Sequence, residues 1–532
     1  MIRPHLQLHD FVEPVAPRQA ATVLLMRDTS SAEGGELEVL MTQRSHTASF
    51  APGVYVFPGG AVDKGETYEQ AAVRECIEEL SVTAEIESLR LQAIWTTDRD
   101  MSKRFVVKFY VAPMPEGQTP VADEQEQFLP TWVKPAAALA MHQVKQFPMI
   151  FPTIRTLEWL AKFDSTAAVM AHCNANVPMW DSCPRSAMLG GKPHYYMESD
   201  APYGELAMVC PDGIKRHALD WIHDAPVPLL KHVRRLTCGN PSMMTGPGTN
   251  SYIIGTVDTG FIVIDPGPYS TNKGTYDLST PDADKAHVQR LFDACKNADG
   301  VVDIRAIICT HSHPDHSPAA APLQALCSKA SQQGSDLGAP KIYGMKNLPT
   351  ARPHSDFVPD VQIQDGDVLT LQGGDASGNL TITLRAIHTP GHAANHVCWA
   401  LEEDGLLISG DHILNGSTTV IDPPDGNMTD YLQALDKLTR ACEQYDIQYI
   451  LPAHGYVLGF AKDAIAKLKA HRLGREAKVK KAMEALPRGA SDAVALDELV
   501  ALAYDDVSPK LWPIAKRSLA AHVERLKLPH HV

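Results

Sequence analysis

The run Thr310-His311-Ser312-His313-Pro314-Asp315-His316 places three imidazoles and a carboxylate within six residues. A lone histidine reads first as a satisfied core residue, but donors at this density are a ligand supply. His311 and His313 leave a loop on one side while Asp315 and His316 point elsewhere. The first pair then needs a third ligand to hold one ion, and the second pair implies a second ion. A different chemistry is offered upstream, where Glu75, Glu78 and Glu79 fall at i, i+3 and i+4. On a helix the three carboxylates share a face and repel one another unless a hard divalent cation, magnesium or manganese, sits among them.

The elements that must position these groups can be read from periodicity. Arg305-Ala306-Ile307-Ile308-Cys309 is a short buried strand that ends where the histidines begin, and Tyr68 to Leu80 has helix-forming composition. Strand-like runs at Thr22–Met26 and Leu37–Gln43 flank a hairpin-like loop, Ser30 to Gly35, and Val54 to Phe57 is a strand stopped by Pro58-Gly59-Gly60. Further on, strands are expected at Tyr252–Ile254 and Phe261–Ile264, with helices from Ala286 to Cys295 and Ala319 to Ala330 covering the sheet. Between about 160 and 230 prolines break up strand-like pieces at His194–Met197 and Glu205–Cys210, and Ala225-Pro226-Val227-Pro228 reads as a linker. From Lys462 onward the texture is helix, turn, helix, with Leu496–Ala503 and Trp512–Leu526 at helical spacing.

His-x-His-x-Asp-His after a strand resembles the metallo-β-lactamase fold, and further motifs follow in that family's order: Thr389-Pro390-Gly391-His392, Ser409-Gly410-Asp411 and Leu451-Pro452-Ala453-His454-Gly455. The resemblance implies that His311, His313 and His392 hold one metal, that Asp315, His316 and His454 hold the other, and that Asp411 joins them. Asp265, in Ile262-Val263-Ile264-Asp265-Pro266-Gly267, would brace the ligand loop from behind. Zinc suits the histidine-rich set, and manganese or iron fits nearly as well. Two such ions lower the pKa of a water between them, with Asp315 and Asp411 holding the nucleophile. His396 and His412 lie beside ligands and could donate a proton to a leaving group, but a structural role is the preferred reading of each. Asn240 to Tyr252 looks like the opening hairpin of the beta-lactamase-like-protein-2 branch, and the tail resembles that branch's winged helix.

Gly60, Glu66, Arg74, Glu75, Glu78 and Glu79 match every charged position of the Nudix box, which this segment resembles. Ser81 stands where the motif has glycine, and Cys76 where a larger apolar residue is usual. Leu40 to Ser45, Phe57 to Gly60 and Phe151 to Leu157 are similar to coenzyme A diphosphatase-like Nudix proteins. The resemblance implies magnesium or manganese on Glu75, Glu78 and Glu79, a diphosphate contact from Arg44 and Arg74, and Glu126 as a candidate general base.

The expected fold is α/β and α+β multidomain: a Nudix α/β/α sandwich over 15–165, a β-rich extension and linker over 166–230, an αββα metallo-β-lactamase sandwich over 231–461, and a helical winged-helix domain over 462–532. A length of 532 residues accommodates this. The net charge of -15 argues against wholesale binding to nucleic acid or anionic membrane, although the segment from Lys462 carries +5 and the rest -20. That tail invites RNA binding, or packs as a cap or dimer contact, and the cap is the preferred reading. Ten scattered cysteines without a Cys-x-x-Cys pair, no apolar signal core and no membrane span suggest a cytoplasmic chain. The substrate is then a nucleoside-diphosphate-linked compound at the first site. At the second it is an acyl thioester, or an RNA or nucleotide phosphodiester. A non-catalytic scaffold is the remaining alternative.

Overall fold

The computed structural model describes residues 2–29, 35–48, 51–175, 178–214, 216–270, 281–331, 338–353, 355–375, 378–485 and 492–527. They form two compact units. One runs from Val12 to Ser199 with Asp212 to Arg216, and the other holds Asp200 to Pro211, the chain from His217 onward and the segment before Val12.

In the first unit, strand Arg18–Asp28 lies at the centre of a sheet, antiparallel to Leu37–Arg44 and parallel to Phe105–Pro113, which in turn pairs with Arg90–Thr96. The period-2 alternation of its side chains explains why both faces are covered. Leu24 and Met26 enter a core with Trp95 and Leu157, while Val23 and Leu25 enter another with Ala72, Cys76 and Leu80. Helix α1, Tyr68–Leu80, has the expected bounds and covers the second face. Its first turn is closed by a capping box in which Thr67 and Gln70 satisfy each other's backbone N–H groups. Helices α2 (Pro135–Gln143), α3 (Phe151–Leu160) and α4 (Thr166–Ala175) contribute to the other core.

The stretch 166–230 is not uniformly β-rich. It opens with α4, and Glu205–Cys210, read as a strand, lies in helix α5, Tyr203–Val209. Proline at the helix start, Pro202, needs no backbone N–H, so it initiates this turn where it would have interrupted a strand. The expected linker is also partly ordered, because Val227–Leu230 pairs antiparallel with Val233–Thr237. The loop expected at Ser30 to Gly35 lies, except for Gly35, outside the described residues.

In the second unit two sheets face one another. One runs from Val227–Leu230 through Val233–Thr237, Asn250–Thr256, Gly260–Ile264, Ile304–Ile308 and Lys341–Gly344 to Val361–Gln362. The other comprises Val368–Asp375, Gly378–His388, Val397–Leu401, Leu406–Gly410 and Tyr449–Pro452. Tyr252, Ile262, Ile308, Trp399 and Ile408 pack between them. Helices α6 (Pro281–Ala294) and α7 (Ala320–Ser331) belong to the layer over Ile253, Val263 and Ile307. Helices α8 (Met428–Gln444) and α9 (Ala461–Ala485) cover Cys398, Leu407 and Ile450. The result is an αββα sandwich. Helices α10 (Asp492–Ala503) and α11 (Trp512–Lys527) complete a tail that is helical among the described residues, with Val479, Leu499, Val500 and Leu519 forming its own small core.

Candidate functional site

Parallel pairing delivers the ligands to one end of the sandwich. Ile264 lies beside Ile308, so Asp265 and the loop beginning at Cys309 emerge together. Asp265 adopts φ +50 and spends both carboxylate oxygens on that loop: Oδ1 accepts from Thr310 N at 2.7 Å, and Oδ2 from Thr310 Oγ1 at 2.8 Å and His316 Nδ1 at 2.9 Å. In the other sheet Ile408 pairs with Leu451, so Asp411 and His454 also emerge side by side. Gly410 between them has φ +50, and a Cβ there would stand 2.6 Å from His396 Nε2 and 2.7 Å from Thr310 Oγ1, so no larger residue fits.

Among the described residues two groups of metal-capable donors converge, and all seven expected ligands are in them. In the first, His311 Nε2 and His392 Nε2 lie 2.9 and 3.0 Å from His313 Nδ1. In the second, His454 Nε2 and His316 Nε2 both lie 3.3 Å from Asp315 Oδ2. Asp411 faces both: its Oδ2 is 3.4 Å from His392 Nε2, and its Oδ1 is 3.2 Å from His454 Nε2 and 3.5 Å from His316 Nε2.

The outer hydrogen bonds fix what each ring presents inward. His392 Nδ1 donates to Val420 O at 2.8 Å, His454 Nδ1 to Gly248 O at 3.1 Å, and His316 Nδ1 to Asp265. Each ring therefore turns Nε2 inward, toward carboxylate oxygens or other imidazole nitrogens, where it carries a proton or binds a cation. The two donor groups differ electrostatically. Burial and its imidazole neighbours hold His311 well below the ordinary range and His392 at about 3. Burial opposes charge on His454 too, yet Asp411 and Asp315 override it and pull the ring up to about 10. The donor set fits two divalent ions of the zinc, manganese or iron type. His396 is fully engaged, accepting from Asp411 N at 3.1 Å and donating to Thr389 Oγ1 at 2.9 Å, whereas His412 packs against the Tyr431 ring at 4.5 Å. Thr310 and Thr249, whose Oγ1 lies 3.2 Å from Asp315 Oδ2, carry no spacing signal and were not expected.

In the first unit the box residues are gathered differently. Arg74 is committed within the box: it donates to Glu66 at 3.0 Å, Glu75 at 2.8 Å, Glu78 at 3.0 Å and Ala61 O at 2.9 Å. It braces the acidic face. Gly60 lies flush against Glu75, where a Cβ would come within 2.3 Å of the carboxylate. Glu79 is buried, accepting from Gly59 N at 2.9 Å and from Gln127 Nε2 at 2.9 Å, and Gln127 Oε1 accepts in turn from Thr42 Oγ1 at 2.8 Å. Burial pushes Glu79 up to about 7 and also raises Glu75, although Arg74 pulls the latter back. The charge of Arg44 is felt at Glu79, and its Nε is buried without a hydrogen-bond partner. Glu126 is exposed and close enough for its charge to raise Glu75.

Three family models match: the metallo-beta-lactamase superfamily over 244–454, the NUDIX domain over 16–151, and the beta-lactamase associated winged helix domain over 495–528. The chain is an N-terminal Nudix domain fused to a metallo-β-lactamase-fold domain with a C-terminal winged-helix region. The donor clusters lie within the metallo-β-lactamase match, at His311, His313, His392 and Asp411 and at Asp315, His316 and His454. An atrochrysone carboxyl ACP thioesterase from Cryptosporiopsis sp. is 27% identical over 47% of this chain, which spans 63% of that protein's length. A beta-lactamase-like protein 2 homolog from Drosophila melanogaster is 26% identical over 56% of this chain and 87% of its own. A solved β-lactamase domain protein from Burkholderia ambifaria is 21% identical, covering 57% of this chain and 89% of its own, with a TM-score of 0.41. No helix among the described residues is long and apolar enough to cross a membrane.

Proposed function

We propose that the chain is a bifunctional metal-dependent hydrolase whose metallo-β-lactamase domain is a thioesterase and whose Nudix domain cleaves a nucleoside-diphosphate-linked compound. The observation that carries the first half is Asp411, whose two oxygens face two separate donor groups. His311, His313 and His392 would hold one ion and Asp315, His316 and His454 the other, with Asp411 between them. Such ions supply Lewis acidity and a water acidic enough to ionise near neutral pH. The chain's own part is to fix imidazole tautomers, through Val420 O, Gly248 O and Asp265, and to exclude solvent from the ligands.

The thioesterase reading is supported by the relative whose name gives that activity. An RNA reading draws less support, because several basic side chains of the tail are paired: Arg475 with Asp506, Lys478 with Asp505, Lys516 with Asp497 and Arg525 with Glu476. In the Nudix domain, taken as 15–165, magnesium or manganese on Glu75, Glu78 and Glu79 would neutralise a diphosphate, with Arg44 and Arg74 as candidate contacts to it and Glu126 as a base. The domains 231–461 and 462–532 then act as one hydrolase with its helical cap, while 166–230 divides between the two units at Ser199. Ten free cysteines, mostly buried, support a reducing, cytoplasmic setting.

The test is to incubate the purified chain with acetyl-coenzyme A and with single-stranded RNA, supplying Mg²⁺ and Zn²⁺ separately, and to resolve products by mass. Free thiol under Zn²⁺ and 3′,5′-ADP under Mg²⁺ are expected. RNA fragments with intact acetyl-coenzyme A would replace the thioesterase reading by a nuclease.

A further inference from the structure

The segment from Thr419 to Asp425 is a strap between the metal ligands and the C-terminal helices. On its inner side Thr419 Oγ1 donates to Asp411 O, and Val420 O receives His392 Nδ1 at 2.8 Å. Asp425 is buried; its Oδ1 accepts from Ala394 N at 3.0 Å, two residues past His392, and its Oδ2 faces His313 Nε2 at 3.5 Å. One carboxylate thus spans two ligand loops. On the outer side Arg472 of α9, lying over the Tyr431 ring at 5.2 Å, donates to Thr419 O. Ser518 Oγ of α11 accepts from Ile421 N at 3.1 Å, and Arg517 lies 3.6 Å from Asp422.

We propose, building on the two-ion reading above, that this strap is how the C-terminal helices set the metal centre, with Asp425 the positioning residue that selects the tautomer of His313. His313 presents Nδ1 to His311 and His392. That nitrogen is a ligand only if the ring proton resides on Nε2, and the Asp425 carboxylate, its Oδ2 facing Nε2 at 3.5 Å, is the buried negative charge that favours the proton there. The fused helical region therefore serves the hydrolytic site itself. Arg472 and Ser518 act one step further out, by keeping the strap in register.

Asp425→Asn is nearly isosteric. Its amide oxygen can still accept from Ala394 N, which turns the NH₂ toward His313 Nε2 and drives the ring proton to Nδ1. Zinc affinity of the full-length protein would be measured against a competing chelator, with thermal unfolding of the metal-free protein alongside. One of two ions should bind about 10- to 100-fold more weakly in Asp425→Asn. The metal-free melting temperature should stay close to wild type, and a Co²⁺-loaded sample should show an altered d–d spectrum. Ser518→Ala should weaken the same ion by a smaller factor, and Lys462→Ala, on the exposed side of α9, should not. Two ions bound with wild-type affinity in Asp425→Asn would overturn the strap proposal alone. A wild-type chain that retains no second ion would instead overturn the two-ion reading beneath it.

Discussion

Glu79 shows how a single side chain is prepared for its chemistry. Its carboxylate is buried and held by Gly59 N and Gln127, and burial pushes it up to about 7. A cation entering the Nudix site must therefore compete with a proton. Mn²⁺ affinity, followed by electron paramagnetic resonance, should rise with pH up to about 7 and level off above it. Gln127→Leu removes a donor that favours the charged form, so its plateau should begin at higher pH. His311, His313, His316 and the box glutamates were legible because several donors lie within a few residues, whereas His392 and His454 were legible only through the motif order of the family they resemble. Gln127 was not, since a neutral amide distant in sequence from Glu79 leaves no pattern. Arg74 was legible as a charge within the box, but its pairing with Glu66, Glu75 and Glu78 was not.

At the scale of elements, the serine that departs from the Nudix motif sits at the C-terminal cap of α1 with φ +55. The motif's glycine suits this left-handed position, which costs an L-residue with a side chain about 1 kcal/mol. Ser81→Gly should accordingly raise the stability of the Nudix unit by up to about 1 kcal/mol in urea unfolding. A second element-scale device is α5, which buries Glu205 against Arg235, His217 and the Val457 N–H. Burial opposes ionisation of Glu205, but Arg235 and then His217 override it and hold the carboxyl at about 2. The folded pKa lies below the ordinary value near 4.5, so this stabilisation is present above pH 4.5 and is lost as pH falls toward 2. Unfolding free energy of the metallo-β-lactamase unit should drop over that window, by on the order of a few kcal/mol, and Glu205→Gln should flatten the slope. The helix carrying Glu205 was misread as a strand because its apolar run is short and flanked by prolines, a case in which periodicity cannot separate the two states.

For the molecule as a whole, the two folds and the winged-helix region were legible from motifs, because one site is assembled at strand ends and the other on one face of α1, each with residues at fixed spacing. The strap was not, because its contacts run from residues near 420 to helices 50 to 100 residues later and to ligand loops on the other side. Each site draws its donors from a single compact unit. His313→Ala should therefore lower thioester hydrolysis by several orders of magnitude and leave Nudix turnover within about twofold of wild type, checked by assaying both reactions on one preparation. The central claim is that seven side chains hold two ions joined by Asp411. Metal content by elemental analysis, on full-length protein loaded with zinc and then exhaustively dialysed, tests it most directly. Two zinc ions per chain are expected, and one or fewer in Asp411→Ala. A wild-type chain that retains one ion or none under conditions where it is folded would contradict it.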